Sequence, residues 1–230
     1  MKPLSDTYKE LGIAFAFPIV VNDTNGNRTY FENSEGQWYK RECDINGNQT
    51  YSEYSDGSWY KREYDANGNE TYYEISDGFW CKREYDTNSN ETYYESSAGQ
   101  WYKKEYDTNG NETYYEISDG FWCKREYDTN SNETYYEDSD GYWRKQEYDA
   151  DGNKSYYENS YGDKEEYDAD GDKIYFEGSD GYWYKKEYDS DGNETYFEDS
   201  NRHKRGTPRS RSCDGKVVEI DGKKYKLTEL

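Results

Sequence analysis

Aliphatic side chains are what this 230-residue sequence has least of. Hydrophobic residues make up 31% of it and aromatic ones alone 20%, so no thick Leu/Ile/Val interior can form. Histidine occurs once, as His203 in a basic stretch, and no Ser-His-Asp or Cys-His arrangement can be built without it. Four cysteines (Cys43, Cys81, Cys123, Cys213) include no CxxC pair and no zinc-type spacing. The phosphate-cradling glycine loop is absent. The apolar run Ile13 to Val21 covers nine residues, too few to span a bilayer. No small-residue cleavage site follows it. It reads as a capping strand, and cytoplasmic residence in a bacterial cell is the default expectation.

What is present is charge and tyrosine. Charged residues make up 35%, the formal net charge is −22, and there are 31 Tyr and 7 Trp. High charge with few hydrophobic residues ordinarily means disorder. Rings in this number oppose that reading, because Tyr and Trp bury large surfaces while keeping a polar tip wet. The stretch 202–212 carries five basic residues and no acid, so the remainder is more acidic than the whole. Such a body repels nucleic acid and anionic membranes and attracts basic partners.

The chain is periodic. Trp38, Trp59, Trp80, Trp101, Trp122 and Trp143 recur every 21 residues, and the aspartates from Asp44 to Asp149 keep the same step. The run 69–95 recurs identically at 111–137, so a 42-residue block has been copied. Each unit alternates strand and turn. Glu70 to Ile75 (ETYYEI) and Phe79 to Asp86 (FWCKREYD) are strand-like, separated by Ser76-Asp77-Gly78 and by turns such as Thr108-Asn109-Gly110. Cys81 and Cys123 fall four strands apart, roughly 19 Å, beyond disulfide reach.

An odd period in a meander calls for one even and one odd loop if each aromatic is to keep its face. We assign a two-residue turn to Asp77-Gly78 and a three-residue loop to Thr108-Asn109-Gly110; the opposite assignment satisfies the same parity. On this assignment Thr71, Tyr73, Ile75, Trp80, Lys82 and Glu84 share one face. Glu70, Tyr72, Glu74, Phe79, Cys81, Arg83 and Tyr85 share the other. Neither face is cleanly apolar. The expected fold is all-β: an elongated, strongly twisted single-layer antiparallel β-meander of about 18 strands with short caps. One unit, ending at Tyr161 to Tyr167 (YGDKEEY), has 19 residues and no Trp; losing two residues preserves the side-chain phase. The organisation expected is a cap over 1–22 (a short helix from Ser5, then a strand), an array over 23–201, a basic linker over 202–212 and a hairpin over 213–230 around Asp221-Gly222.

The phrases EYDANGNETYYE (63–74) and EYDSDGNETYFE (187–198) resemble the Tyr-Asp hairpin repeats of RHS-type proteins. That resemblance implies long β-sheets that curl into shells, although this chain has too few units to enclose a cargo and lacks a toxin-like C-terminal domain. SWYKREYDANGN (58–69) is more faintly similar to the wall-binding repeats of choline-binding proteins. The short helical start, the Tyr-rich hairpins and CDGKVVEIDGKKYKL (213–227) resemble uncharacterised bacteriophage proteins.

Asp168 to Asp172 and Asp189 to Asn193 look like calcium loops, but Gly stands fourth instead of sixth and Glu tenth instead of twelfth. Asn-x-Thr, as at Asn69 and Asn111, is turn chemistry. The basic linker reads as a segment folding back on the acidic sheet. No enzyme activity, metal or cofactor is expected. The leading expectation is a scaffold that binds a basic host protein, in sharper form a phage inhibitor imitating nucleic acid, with no nucleic acid bound directly by the array. Its candidate binding residues are Trp38, Trp59, Trp80, Trp101, Trp122, Trp143, Trp183, Glu74, Glu84, Glu105, Glu116 and Glu126. The competing readings are a carbohydrate or cell-surface module using the Trp ladder, and a structural virion component.

Overall fold

The computed structural model describes residues 2–208 together with the backbone of 217–220 and 223–226. Nineteen strands, β1 (Ile19–Asn22) to β19 (Lys204–Gly206), pair in chain order as one antiparallel meander. One short helix, α1 (Leu4–Lys9), precedes them. A separate two-stranded sheet joins β20 (Val217–Ile220) to β21 (Lys223–Lys226). The Asp221-Gly222 turn, Cys213, Arg209 and Arg211 lie outside the described residues. Contacts group the chain into two units, Met1–Arg125 with Asp138–Asp140, and Glu126–Glu137 with Gly141 onward.

The first unit shows how an odd period is built, and it corrects the loop assignment above. Strands β6 (Glu70–Ile75) and β7 (Trp80–Tyr85) pair Tyr72 with Lys82, Tyr73 with Cys81 and Glu74 with Trp80. Ile75 N–H donates to Phe79 O and Gly78 N–H to Ile75 O. The loop is therefore three residues, Ser76-Asp77-Gly78, with Gly78 left-handed at φ 95. The second loop is also three residues, as assigned: Asp107 N–H bonds Asn111 O and Gly110 has φ 87. Ser89 and Ser131 hold the same left-handed position at φ 65. Two odd loops alone would flip alternate units. The missing odd residue is a β-bulge beside the second loop, where pairing slips between Glu42 and Cys43 and again between Glu84 and Tyr85. In the first of these Thr50 is the extra residue, and its hydroxyl donates to Glu42 O at 3.2 Å. Thr29 and Thr195 make the same bond at their bulges, to Val21 O and Glu187 O, each at 3.2 Å.

The corrected register changes the faces. One face carries Tyr72, Glu74, Trp80, Lys82 and Glu84; the other carries Tyr73, Ile75, Cys81, Arg83 and Tyr85. Equivalent residues also slide. Tyr72 pairs Lys82, Lys82 pairs Glu95 in β8 (Glu91–Ser96), and Glu95 pairs Trp101 in β9 (Trp101–Tyr106). Glu95 stands two residues beyond Tyr93, the true equivalent of Tyr72, so each unit advances two positions along the strand.

The Cys81/Arg83 face is the packed one. The described residues hold only six buried hydrophobic side chains, among them Cys81 and Cys123 at 1% exposure. Cohesion comes instead from cations laid between rings and acids. Arg62 lies 4.7 Å above Tyr60 and 5.3 Å from the Tyr73 ring, and Arg83 lies 5.5 Å above Tyr94. Glu70 bridges them, 3.1 Å from Arg62 and 2.7 Å from Arg83. Glu91 accepts Arg83 at 3.4 Å; Glu112 accepts Lys104 at 3.1 Å and Arg125 at 2.5 Å. These pairs are half-buried, which limits screening by salt, and each stacked cation adds roughly 0.5–2 kcal/mol.

The second unit repeats the scheme with its signs rearranged. Gln146 stands where other units place the central cation, and Arg144 supplies the charge instead, 2.6 Å from Glu133 and 4.7 Å over Tyr136. In the 19-residue unit Glu165 of β15 (Lys164–Tyr167) holds the central place. Its neighbours Lys154 and Lys173 occupy the positions that are Glu70 and Glu91 elsewhere. Lys173 reaches Glu165 at 2.5 Å, and Tyr167 donates to the same carboxylate. Burial alone would raise the Glu165 pKa, but Lys173 and Tyr167 hold it below the usual range. Phase survives the deletion, since Glu158 pairs Lys164 and Tyr156 pairs Glu166; Lys164 takes the Trp position.

The ends are closed differently. β1 pairs β2 (Arg28–Glu32). α1 begins at Leu4, one residue before the expected Ser5, and Leu4, Ile19, Tyr30 and Trp38 form a small core. Beneath it Glu32 is 1% exposed; it accepts Tyr30 OH at 2.7 Å, Ser5 N–H at 3.2 Å and the Ser5 hydroxyl. Burial would raise its pKa, but those donors keep it lowered. At the other end the basic stretch folds onto β18 (Glu194–Asp199) as β19, with Lys204 2.8 Å from Glu198 and Arg205 2.8 Å from Glu194.

Two expectations follow. Replacing Arg83 by Met removes the cation shared by Glu91 and Glu70, leaving Glu70 with Arg62 alone, and should lower unfolding free energy by about 1–3 kcal/mol, whereas Lys82→Met on the open face should stay within about 0.5 kcal/mol. Denaturant titration followed by circular dichroism distinguishes them, and equal losses would contradict the packing described. Acid is the second test. Asp44, Asp65, Asp86, Asp107 and Asp128 are held below the usual carboxylate range, chiefly by the Asn side chain four residues on. A depressed folded pKa adds stability above the unfolded value that is lost as pH falls through the folded one. The β signal should persist at pH 5–7 and decline below about pH 4; undiminished signal at pH 2 would contradict this.

Candidate functional site

The open face is built from diagonal rows of four residue types. In the first unit they run Tyr30-Lys40-Glu53-Trp59, Tyr51-Lys61-Glu74-Trp80, Tyr72-Lys82-Glu95-Trp101 and Tyr93-Lys103-Glu116-Trp122. Each Lys thus stands opposite a Glu and each Glu opposite a Trp, the cross-strand pairs that stabilise a sheet. In the second unit the row Tyr175-Lys185-Glu198 ends on Lys204, so the basic strand continues the pattern with a cation in place of Trp.

This register gathers the candidate residues. Trp80 and Glu84, expected opposite Glu74, share its face; Glu74 pairs Trp80 directly and Glu116 pairs Trp122. Glu84, Glu105 and Glu126 are exposed at the far end of the Trp strands. Glu126 alternates with Trp122 along β11 (Trp122–Tyr127). Trp143 and Trp183 hold the same place opposite Glu137 and Glu177. Trp38 is different: it is 8% exposed beneath the N-terminal cap and is not presented on an outer surface. The other tryptophans are half-buried. Tyr51 stacks with Trp59 at 6.4 Å, and Lys82, Lys124 and Lys185 lie 5.2, 5.2 and 5.7 Å over Trp80, Trp122 and Trp183. Each of these four rings thus has a neighbouring side chain over it.

The lysines and the first tyrosine of each ETYYE segment belong to this face and were not singled out from the sequence. Alternation from Trp80 through Lys82 to Glu84 would have found the lysines; Tyr72 and Glu74 joined them only through the three-residue loop. Tyr72, Tyr93 and Tyr114 have phenol pKa values raised by burial and by the neighbouring glutamates, and in Tyr156 the rise reaches about 12. Neutral phenols can donate, as Tyr114 does to Glu116 at 3.1 Å and Tyr156 to Glu158 at 3.0 Å.

Between adjacent Trp strands the face is grooved. One groove, of about 430 Å³, is lined by Glu42, Asp44, Tyr51, Lys61 and Glu63 among others. Another, of about 610 Å³, is lined by their equivalents 84 residues on, including Glu126, Asp128, Tyr135, Lys145 and Glu147. Turn aspartates are committed internally: Asp65 Oδ1 accepts the N–H groups of Asn67 and Asn69 at 2.9 Å while the Asn69 amide donates to Oδ2. Asp168, in the loop resembling a calcium site, likewise accepts Asp170 and Asp172 N–H.

No protein-family model matches the chain, and no curated protein does. Solved structures with a similar fold include TcdB2-TccC3 (TM-score 0.40, 12% identity, covering 87% of this chain and 12% of that one). Others are TcdB2-TccC3 without its hypervariable C-terminal region (0.39, 11%, 89% and 16%) and the Photorhabdus luminescens Tc holotoxin pore (0.31, 11%, 86% and 17%). The chain spans under a fifth of the length of these structures. The likeness is distant, a long antiparallel sheet of hairpin repeats, and assigns neither activity nor partner.

Proposed function

We propose that this chain is a non-catalytic scaffold that binds a basic protein surface through its Trp/Lys/Glu face, within a bacterial host cell. The observation that supports this reading is how charge is distributed between the faces. On the packed face each of Glu70, Glu91, Glu112 and Glu133 sits within 3.4 Å of an Arg or Lys. On the open face every unit carries two glutamates for one lysine, flanked by turn aspartates. The acidic surplus therefore faces outward on one side, where half-buried Trp and Tyr can anchor a partner. Imitation of nucleic acid enters this proposal as competition by charge. Equivalent glutamates stand two strands and two residues apart, about 12 Å, a coarser step than one phosphate per strand for every roughly 3.4 Å of duplex axis.

Reversing Glu84, Glu105 and Glu126 to Lys should abolish capture of a basic partner from host lysate while leaving the β spectrum intact. The same partner should elute from the wild-type chain as salt rises from about 0.05 to 0.3 M. A partner retained by both the triple variant and high salt would overturn the assignment.

A further inference from the structure

The same acid-and-ring arrangement on the open face is filled in some units and not in others. Lys61 Nζ lies 2.8 Å from Glu63 and 5.4 Å from the ring of Tyr72, the residue paired with Glu63. Lys40 does the same one unit earlier, 2.6 Å from Glu42 and 5.9 Å over Tyr51. These glutamates hold each lysine above its ordinary pKa. Further along, Lys82 and Lys124 turn the other way onto Trp80 and Trp122. The corresponding Glu84 and Glu126 are exposed and form no ion pair among the described residues. Glu126 and Tyr135 line the larger groove, while Glu84 pairs Tyr93 across the strands. Glu105, paired with Tyr114, is likewise exposed and without an ion pair among the described residues.

We propose that Glu84–Tyr93 and Glu105–Tyr114 are seats for the ammonium groups of lysines on an extended basic peptide segment, one seat per 21-residue repeat. This rests on the function proposed above and narrows its partner. The occupied units show the ligand chemistry, an ammonium bonded to the carboxylate and lying over the phenol. The chain's own basic strand supplies a second precedent: Lys204 of β19 binds Glu198, whose neighbour Tyr196 donates to the same carboxylate. Seat spacing follows from the register. Glu84 and Glu105 are separated by two strand spacings and a two-residue slide, about 12 Å. An extended segment covers that in about four residues, which also returns its side chain to the same side.

The test uses the full chain and two 16-residue peptides of identical composition, each with four Lys among Ser and Gly. In one the lysines stand every fourth residue; in the other they are contiguous. The spaced peptide should bind at least about tenfold tighter at low salt, because linked seats act together. Glu84→Gln with Glu105→Gln should erase that preference, and circular dichroism should report unchanged folding. Equal affinity of the two peptides, or a preference that survives the double variant, overturns the seats. If both peptides bind equally while a basic lysate protein is still captured salt-dependently, the seats fall and the broader function stands. If neither peptides nor any basic protein bind, both fall.

Discussion

An arginine or lysine held flat between tyrosine rings and bonded to glutamates on neighbouring strands is the interaction this sheet depends on. A sheet this poor in aliphatic residues has little apolar area to remove from water, so it must find cohesion elsewhere. The packed face supplies it: Arg62, Glu70, Arg83 and Glu91 form one alternating line, as do Lys104, Glu112 and Arg125. Rings lie over these cations, which strengthens the attraction, and acids neutralise Arg62, Arg83, Lys104 and Arg125. Arg41, flanked by Arg28 and Gln49 where other repeats place Glu, has the Tyr39 ring at 4.2 Å and no ion pair among the described residues. The repeats themselves provide the control. Where Glu replaces the central cation at position 165, lysines replace the flanking acids at 154 and 173, and where Gln stands at 146 a cation moves to 144. In these two places complementarity is kept although identity is not.

That division of labour frees the opposite face. Because the charges of one side are consumed in holding the sheet, the surplus acid lies on the other, interleaved with Trp and Tyr. The first and last units adapt the same positions to closure. Glu32, equivalent to Glu74, is buried to hold α1, and Lys204 stands in a Trp position to end the array. An edge strand left bare would invite pairing with other chains, and both ends spend a repeat position on covering one.

Much of this could be read from the amino acids. The period, the order of strands and turns, the all-β meander and the phase kept by the 19-residue unit follow from spacing and composition alone; of the apolar run Ile13 to Val21, expected as a capping strand, only Ile19 to Val21 is strand. The faces did not. Parity required one odd contribution per unit, and a two-residue Asp77-Gly78 turn was the obvious source. A β-bulge at the Thr position supplies an odd residue equally well, and no local signal separates the two until pairing is seen. The error moved Tyr72 and Glu74 away from Trp80, so the candidate tryptophans and glutamates appeared divided when they share a face. The burial of Trp38 escaped notice because its repeat position matches that of half-exposed copies; only α1, packing over it, makes it different.

The central claim is most directly tested by transplanting the charge pattern of the 19-residue unit into a regular one. Arg83→Glu alone places three acids together and should cost about 2–4 kcal/mol in urea unfolding. Adding Glu70→Lys and Glu91→Lys, with Arg62→Gln to match the Gln146 that neighbours Lys154, recreates the arrangement of Glu165 between Lys154 and Lys173 and should return stability to within about 1 kcal/mol of the native chain. A combined variant no more stable than the single one would show that the sheet is not held together by this alternating line of charge.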